Sequence, residues 1–405
     1  MLMRLETLAR LAFWCCACGV LYTYAVYPAL IWLMARLFGE HKPPTELADE
    51  KLPLVTLLIA AHNEESVIGP RIENALTLHY PTEKLDILIA SDGSEDSTAA
   101  IVQRYAARGV RLLDYPVRRG KAAVLCAAIK EARGGIVVLS DANTKTNADA
   151  IRSLVRWFAD PQVGVVCGRL ILADPHTGKN VDGAYWRYET FLKRHESQLG
   201  ALLGSNGAIY AIRADRFQPI PPGTIVDDFV IPLLARLRTG CRIVYDPSTV
   251  AEEDSAPDIR GEFRRRVRIG AGDWQSIRIL WPLLNPLQGW VAFTFFSHKV
   301  LRWLGPFFLL AALTLNFVLL DSKLGVYSLE AQLIGYCLAI LGGGVPKGAP
   351  AWKLMRLANL FVNMNVALLV GFFRFVSGSQ SGAWSRTQRA AESANNGAVT
   401  VETGK

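Results

Sequence analysis

Hydrophobic positions along the chain gather into runs of two lengths, and the long ones lie at the ends. Residues 11–35 carry no charged side chain across 25 positions, and a bilayer core takes about 20 apolar helical residues. This run reads as a retained transmembrane anchor. It is long, has aromatic residues near both ends and lacks a small-residue cleavage site, which sets it apart from a cleaved signal. Uncharged runs return at 304–320 and 333–345, the second with polar flanks that allow a span to start near Val326, and the short turn between them makes them a pair of spans. A further apolar run, 357–373, holds Asn359, Asn363 and Asn365 between Arg356 and Arg374. Three amides in lipid are costly unless paired, so this run reads either as a span or as an interfacial helix. The Trp-rich, Pro-broken stretch 281–299 reads as interfacial.

The short runs lie between. Residues 54–61 (LVTLLIAA), 86–91 (DILIAS), 110–115 (VRLLDY) and 135–142 (GIVVLSDA) alternate with segments of helical period. Fully apolar short strands alternating with helices predict an α/β domain with a buried, mostly parallel sheet. In such sheets ligands bind beyond the carboxyl ends of the strands. That rule sorts three polar sets onto one rim: His62, Asn63, Glu64 and Glu65; Ser91, Asp92, Gly93 and Ser94; Ser140, Asp141, Ala142 and Asn143. Each has a plainer reading, Asp92 as a turn residue and Asp141 or Asn143 as a helix cap. Three such sets at three strand ends favour a site.

Composition narrows the class. A hydrophobic content of 51% with mean hydropathy +0.21 suits a chain partly in lipid. The net charge of +8 is concentrated at Arg260, Arg264, Arg265, Arg266 and Arg268, just ahead of apolar sequence. Basic loops on the cytoplasmic side face anionic headgroups, so membrane lipids, not nucleic acid, are the expected partner. The seven cysteines have neither metal-ligand nor disulfide spacing. No GxGxxG or P-loop pattern is present, which excludes an ordinary dinucleotide or P-loop site.

The rim chemistry fits recognition of a nucleotide by Asp92 and the loop after the first strand, with Asp141 near a divalent cation that neutralises a diphosphate. Arg118, Arg119 and Lys121 either add positive charge near phosphate or form a solvated loop. Gly204, Ser205, Asn206, Gly207 and Ala208 precede a further strand; glycines there allow close approach to a flat ligand or serve a tight turn. Asp227 and Asp228 open a helix, where the dipole alone favours acids, but adjacent like charges also raise one pKa toward general-base duty.

In this order the residues resemble the membrane-bound family-2 glycosyltransferases, the group of cellulose, hyaluronan, chitin and poly-N-acetylglucosamine synthases, over residues 50–390. The resemblance implies the GT-A nucleotide-sugar fold, with an anchor and linker in 1–50, a cytoplasmic transferase domain in 51–273, and interfacial helices, two spans and a gating segment in 274–405. It implies a bacterial inner-membrane enzyme that uses Mn2+ or Mg2+. Ala61, Asn63 and Glu64 look like the first nucleotide loop, Asp92 like the residue that meets uracil, and Lys121 like the lysine after the basic loop. Asp141 and Asn143 look like the metal motif, with Asn143 where an acid is usual, and Gly204 to Gly207 like the acceptor-side loop. Asp228 stands in the general-base position, Asp227 beside it. Polymer synthases place a glutamine, two variable residues, an arginine and a tryptophan next; here the stretch is RRVRI, so Arg268 matches while Arg265 and Ile269 depart. Trp384, Thr387 and Arg389 match the gating motif. For these to reach a cytoplasmic site, the chain after residue 300 crosses an even number of times, which makes 350–375 interfacial. The implied reaction is inverting transfer from a UDP-sugar to a saccharide acceptor in polysaccharide synthesis, with homo-oligomerisation one way to build a pore. Transfer of one sugar to a lipid acceptor, and a noncatalytic nucleotide-sugar sensor, are the competing readings.

Overall fold

The computed structural model describes residues 2–40, 43–173, 183–254, 259–344 and 352–380. These fall into two compact units, one made of residues 31–261 with 275–294, the other of 1–30, 262–274 and 295–380.

Among the described residues the first unit holds an eight-stranded sheet: β1 Val55–Ala61, β2 Leu85–Asp92, β3 Val110–Tyr115, β4 Ile136–Asp141, β5 Lys145–Thr146, β6 Val163–Ala173, β7 Tyr210–Arg213 and β8 Arg242–Asp254. Their order is β3-β2-β1-β4-β7-β6-β8-β5. The four apolar runs of the sequence are the four parallel strands β3, β2, β1 and β4. Every residue of β1 is buried, as a central strand covered on both faces requires. Helix Ile68–Leu76 covers part of it, with Ile68, Ile72 and Ala75 at helical spacing in the same core as Val55, Leu57 and Ile59. Full burial of each such aliphatic side chain contributes about 1.5–3 kcal/mol.

Register and direction together build the rim. Ala61 lies opposite Ser91, Ala60 opposite Asp141, and Asp92 opposite Tyr115, so the four parallel strands end at one level. Strand β7 runs antiparallel to both β4 and β6, with Tyr210 opposite Leu139. Because it starts where β4 ends, the chain just before it, Gly204–Ile209, is delivered to that rim too.

Four described helices are long and apolar enough to cross a membrane: Glu6–Phe38, Trp290–Val318, Lys323–Gly342 and Trp352–Val376. The second starts earlier than the uncharged run at 304–320 suggests, and 281–299 is not one interfacial element. Pro282 and Pro286 open two 3-10 turns, and the helix begins after Gly289; proline suits a first turn and not a helix interior. The amide nitrogens of the last helix are paired, while the buried Asn365 Oδ1 has no hydrogen-bond partner among the described residues. Asn359 Nδ2 donates to the Ala339 carbonyl at 2.8 Å, Asn363 Nδ2 to Asn359 Oδ1 at 2.9 Å and Asn365 Nδ2 to the Phe361 carbonyl at 2.9 Å. These bonds lower the cost that set this run apart in the sequence. Helix Ile259–Leu280 carries the arginine cluster, in which Glu262 pairs with Arg265 at 3.4 Å and Arg266 at 2.8 Å.

Candidate active site

The loops after β1 and β2 are sewn together by side chains. Asn63 is the one described non-glycine residue with positive φ, +55°, a conformation asparagine tolerates better than most. It accepts at Oδ1 from the Glu95 amide at 2.8 Å and donates its own amide to Ser94 Oγ at 3.2 Å. The Glu64 amide donates to Thr98 Oγ1 at 2.7 Å and the Glu65 amide to Asp96 Oδ2 at 3.1 Å. Ala61 and Glu64 are buried, so of the residues expected to form the first nucleotide loop it is the braced backbone around Asn63 that forms the rim.

Asp92 is fully buried, and both its oxygens are committed. Oδ1 accepts from the Arg119 amide at 2.6 Å and Oδ2 from the Gly120 amide at 2.8 Å. The residue expected to touch a base therefore holds the basic loop against the end of β2. Gly93 permits this closeness: its φ is +59°, and a Cβ there would sit 2.6 Å from the Arg118 nitrogen. The basic loop is thus anchored, and it leads into helix Lys121–Ala128.

Lys121, the first residue of that helix, joins the strand-end acid Asp141 to the helix-start acid Asp227. Its Nζ lies 2.7 Å from Asp141 Oδ1 and 3.4 Å from Asp227 Oδ2. Burial works against its charge, but Asp141, Asp227 and Asp228 outweigh burial and hold the ammonium above its ordinary range. Asp227 is nevertheless pushed up to about 6, by burial first and then by Asp228 and Asp141, against the pull of Lys121. The two shifts look opposed for an ion pair, and the reason is stoichiometric: one ammonium serves three carboxylates. Asp228 is half-buried at the start of helix Asp227–Thr239. Its main-chain carbonyl accepts from the Ser205 amide at 3.0 Å and Ser205 Oγ at 2.7 Å, while its carboxylate makes no hydrogen bond to any described residue.

The loop ahead of β7 is built mainly from internal bonds. Asn206 is buried, donates to the Gly168 carbonyl at 2.7 Å and accepts from the Ile209 amide at 3.2 Å. Gly204 abuts Phe229. At Gly207 a Cβ would lie 2.7 Å from Asp141 Oδ2, so the close approach that glycine allows here is to a carboxylate of the protein itself.

One residue of this network was hidden from the sequence. Arg71, buried on helix Ile68–Leu76, donates from Nη2 to Ser140 Oγ at 3.1 Å, and Ser140 donates to the Ala208 carbonyl at 2.6 Å. Burial depresses Arg71 to about 10, with Asp141 pulling the other way. The only signal was an arginine within the amphipathic segment 71–76, and that did not tell a buried side chain from a solvated one. Asn143, expected beside Asp141, instead lines a groove of ≈ 520 Å³ with Arg71, Asn74 and Lys145, because the chain turns as β4 ends. Arg265 and Arg268 lie on helix Ile259–Leu280 in the other unit. Trp384, Thr387 and Arg389 fall outside the described residues.

Among the described residues no three carboxylate, imidazole or thiolate side chains converge as a metal cage. Mg2+-type sites need none, since one or two carboxylates plus substrate phosphates complete them. Asp141, a quarter exposed at its side chain, fits that role.

Residues 56–213 match the family described as Glycosyl transferase family 2, and residues 136–334 the one described as Glycosyl transferase family group 2. The poly-beta-1,6-N-acetyl-D-glucosamine synthase of Staphylococcus aureus is 27% identical over 265 residues, 62% of this chain and 63% of that protein. The beta-monoglucosyldiacylglycerol synthase of Synechocystis is 26% identical over 282 residues, 66% of this chain and 58% of that protein. The chain thus matches less than two thirds of the length of either relative. A solved structure, the mannosyltransferase of Pyrobaculum calidifontis in complex with GDP-Man and Mn2+, superposes with a TM-score of 0.66 at 22% identity, covering 92% of this chain and 99% of that one.

Proposed function

The chain belongs to the family-2 glycosyltransferases and has their GT-A fold, and from that premise we propose that it moves a sugar from a nucleotide-diphosphate donor, in our reading a UDP-sugar, to a saccharide acceptor with inversion. The observation that carries the proposal is the arrangement of Asp228 beside the Lys121–Asp141–Asp227 cluster, its carboxylate without a hydrogen bond to any described residue while Ser205 fixes its main chain. A base must be placed firmly and left open to the proton it takes.

Asp228 removes the proton of the acceptor hydroxyl. The freed oxygen attacks the anomeric carbon, and the bond from that carbon to the diphosphate oxygen breaks on the opposite face. Asp141 would hold Mn2+ or Mg2+, whose chemistry there is neutralisation of the diphosphate charge. Lys121 adds fixed positive charge at the same strand end, where it stabilises negative charge as it develops. Asp92 serves from behind by holding the backbone of residues 118–120 at the rim. Asp228→Asn is expected to cut turnover about 10²–10⁴-fold with nucleotide binding intact. Membranes carrying either protein, supplied with radiolabelled sugar nucleotides, decide this, and full activity in the variant overturns the assignment.

A lipid acceptor is the second reading. Arg265 pairs with Glu262 at the position where polymer synthases are expected to carry glutamine, Ile269 replaces the expected tryptophan, and one relative is named for a glycosylated diacylglycerol. The size of the labelled product separates the two: long polymer appearing early supports the saccharide acceptor, a single-sugar, solvent-extractable product the lipid one.

A further inference from the structure

Asp141 has a support behind it that reaches across three elements, and we infer that Arg71 is a positioning residue, holding Asp141 and the Gly204–Ala208 loop in register with each other. The inference rests on the sugar-transfer reading above. Arg71 is 3% exposed. It donates from Nη2 to Ser140 Oγ at 3.1 Å and from Nη1 to Asn74 Oδ1 at 3.3 Å. Ser140 passes the connection on to the Ala208 carbonyl at 2.6 Å. The sequence neighbours of these two residues are the pair that must meet: Asp141 follows Ser140, Gly207 precedes Ala208, and a Cβ on Gly207 would stand 2.7 Å from Asp141 Oδ2.

Asn74 fixes the other end of the same segment. Its Oδ1 accepts from the Thr146 amide at 2.9 Å and its Nδ2 donates to the Thr146 carbonyl at 3.0 Å. One turn of one helix therefore pins the chain from Ser140 to Thr146, with Asp141 and Asn143 inside it. An aliphatic residue would satisfy packing at position 71, as Ile72 and Ala75 do beside it, whereas a buried guanidinium is costly. Full satisfaction of its donors does not explain the arginine, since Nε has no hydrogen-bond partner among the described residues. The bonds it does make are to Ser140 and Asn74, the two residues that set the strand end.

Positioning and plain charge predict opposite signs. The guanidinium repels a cation bound at Asp141, so loss of its charge alone tightens cation binding; loss of positioning weakens it. The test is Mn2+ binding to the full-length protein in detergent, read from the electron paramagnetic resonance of free Mn2+ with UDP or GDP present, for wild type, Arg71→Met, Arg71→Lys and Ser140→Ala, alongside thermal unfolding. Arg71→Met and Ser140→Ala are expected to weaken Mn2+ binding about 10- to 100-fold and Arg71→Lys by less, as loss of a group that orients a metal ligand does. If Arg71→Met fails to fold, Ser140→Ala carries the comparison, since it keeps the arginine and removes only the hydroxyl. Unchanged or tighter Mn2+ binding in the folded variants overturns the inference, whatever the melting point does, while leaving the sugar-transfer reading intact. A wild-type protein that binds neither nucleotide nor Mn2+ overturns both.

Discussion

Asp227 and Asp228 are neighbours in sequence, but burial treats them differently. Asp227 is buried and pushed up from 3.8 to about 6, while Asp228 is half-buried and its carboxylate makes no hydrogen bond to any described residue. The raised pKa means the folded protein binds a proton at Asp227 more readily than the unfolded chain does. Its stabilising contribution is therefore present at low pH and lost as pH rises through the interval from 3.8 to about 6. Asp227→Asn removes the buried charge and is expected to melt above wild type at pH 8, with the two converging as pH falls toward 3.8, while sugar transfer falls because Lys121 loses one of its partners. Thermal unfolding across that pH range checks the sign. A variant less stable at every pH would mean that the Lys121 contact outweighs burial.

At the scale of elements, the loop from Val117 to Lys121 depends on a strand it follows only at a distance. Asp92→Ala leaves the Arg119 and Gly120 amides without their acceptors, at a cost of about 1–3 kcal/mol for each group kept from water. Faster hydrogen exchange over residues 117–121, with β1 and β4 still protected, is the expected outcome; exchange unchanged from wild type would show that other contacts hold the loop. This case marks how far the sequence could be read. Strands β1, β2 and β4 were legible because each contains an unbroken apolar run bounded by turn residues, β3 with its Arg111 and Asp114 because of its place in the alternation, and the rim followed from strand direction alone. The target of the Asp92 carboxylate was not legible, because it is set by amides 27 and 28 residues away. Arg71 was hidden for the same reason, since its bond to Ser140 spans 69 positions. Strand β8 was obscured by Pro247 and by the acids at its end, features that local pattern assigns to a loop.

For the whole molecule the open quantity is the number of crossings. We propose that Trp352–Val376 lies along the interface although it is long enough to cross. If Trp290–Val318 and Lys323–Gly342 form an outward and a return span, Gly342 is back on the side from which the chain left, and Trp352 follows closely. At the other end of the last helix, a Cβ on Gly371 would stand within 3 Å of Val267, Gly270 and Ala271 on the arginine-bearing helix, which is too charged to cross. A reporter fused after Lys405 is therefore expected on the same side of the membrane as one inserted in the sheet unit, and opposite placement would establish a third crossing. The direction of β7 has a consequence of another kind. The chain leaves the sheet at Ala173 and re-enters at Tyr210 beside β4, and the described helix Ala184–Gln198 stands between those two fixed points. A change of length in that helix would leave the strand order as it stands, whereas the segment just after it, held through Asn206 to Gly168 and through Ala208 to Ser140, could not be re-cut without disturbing the rim.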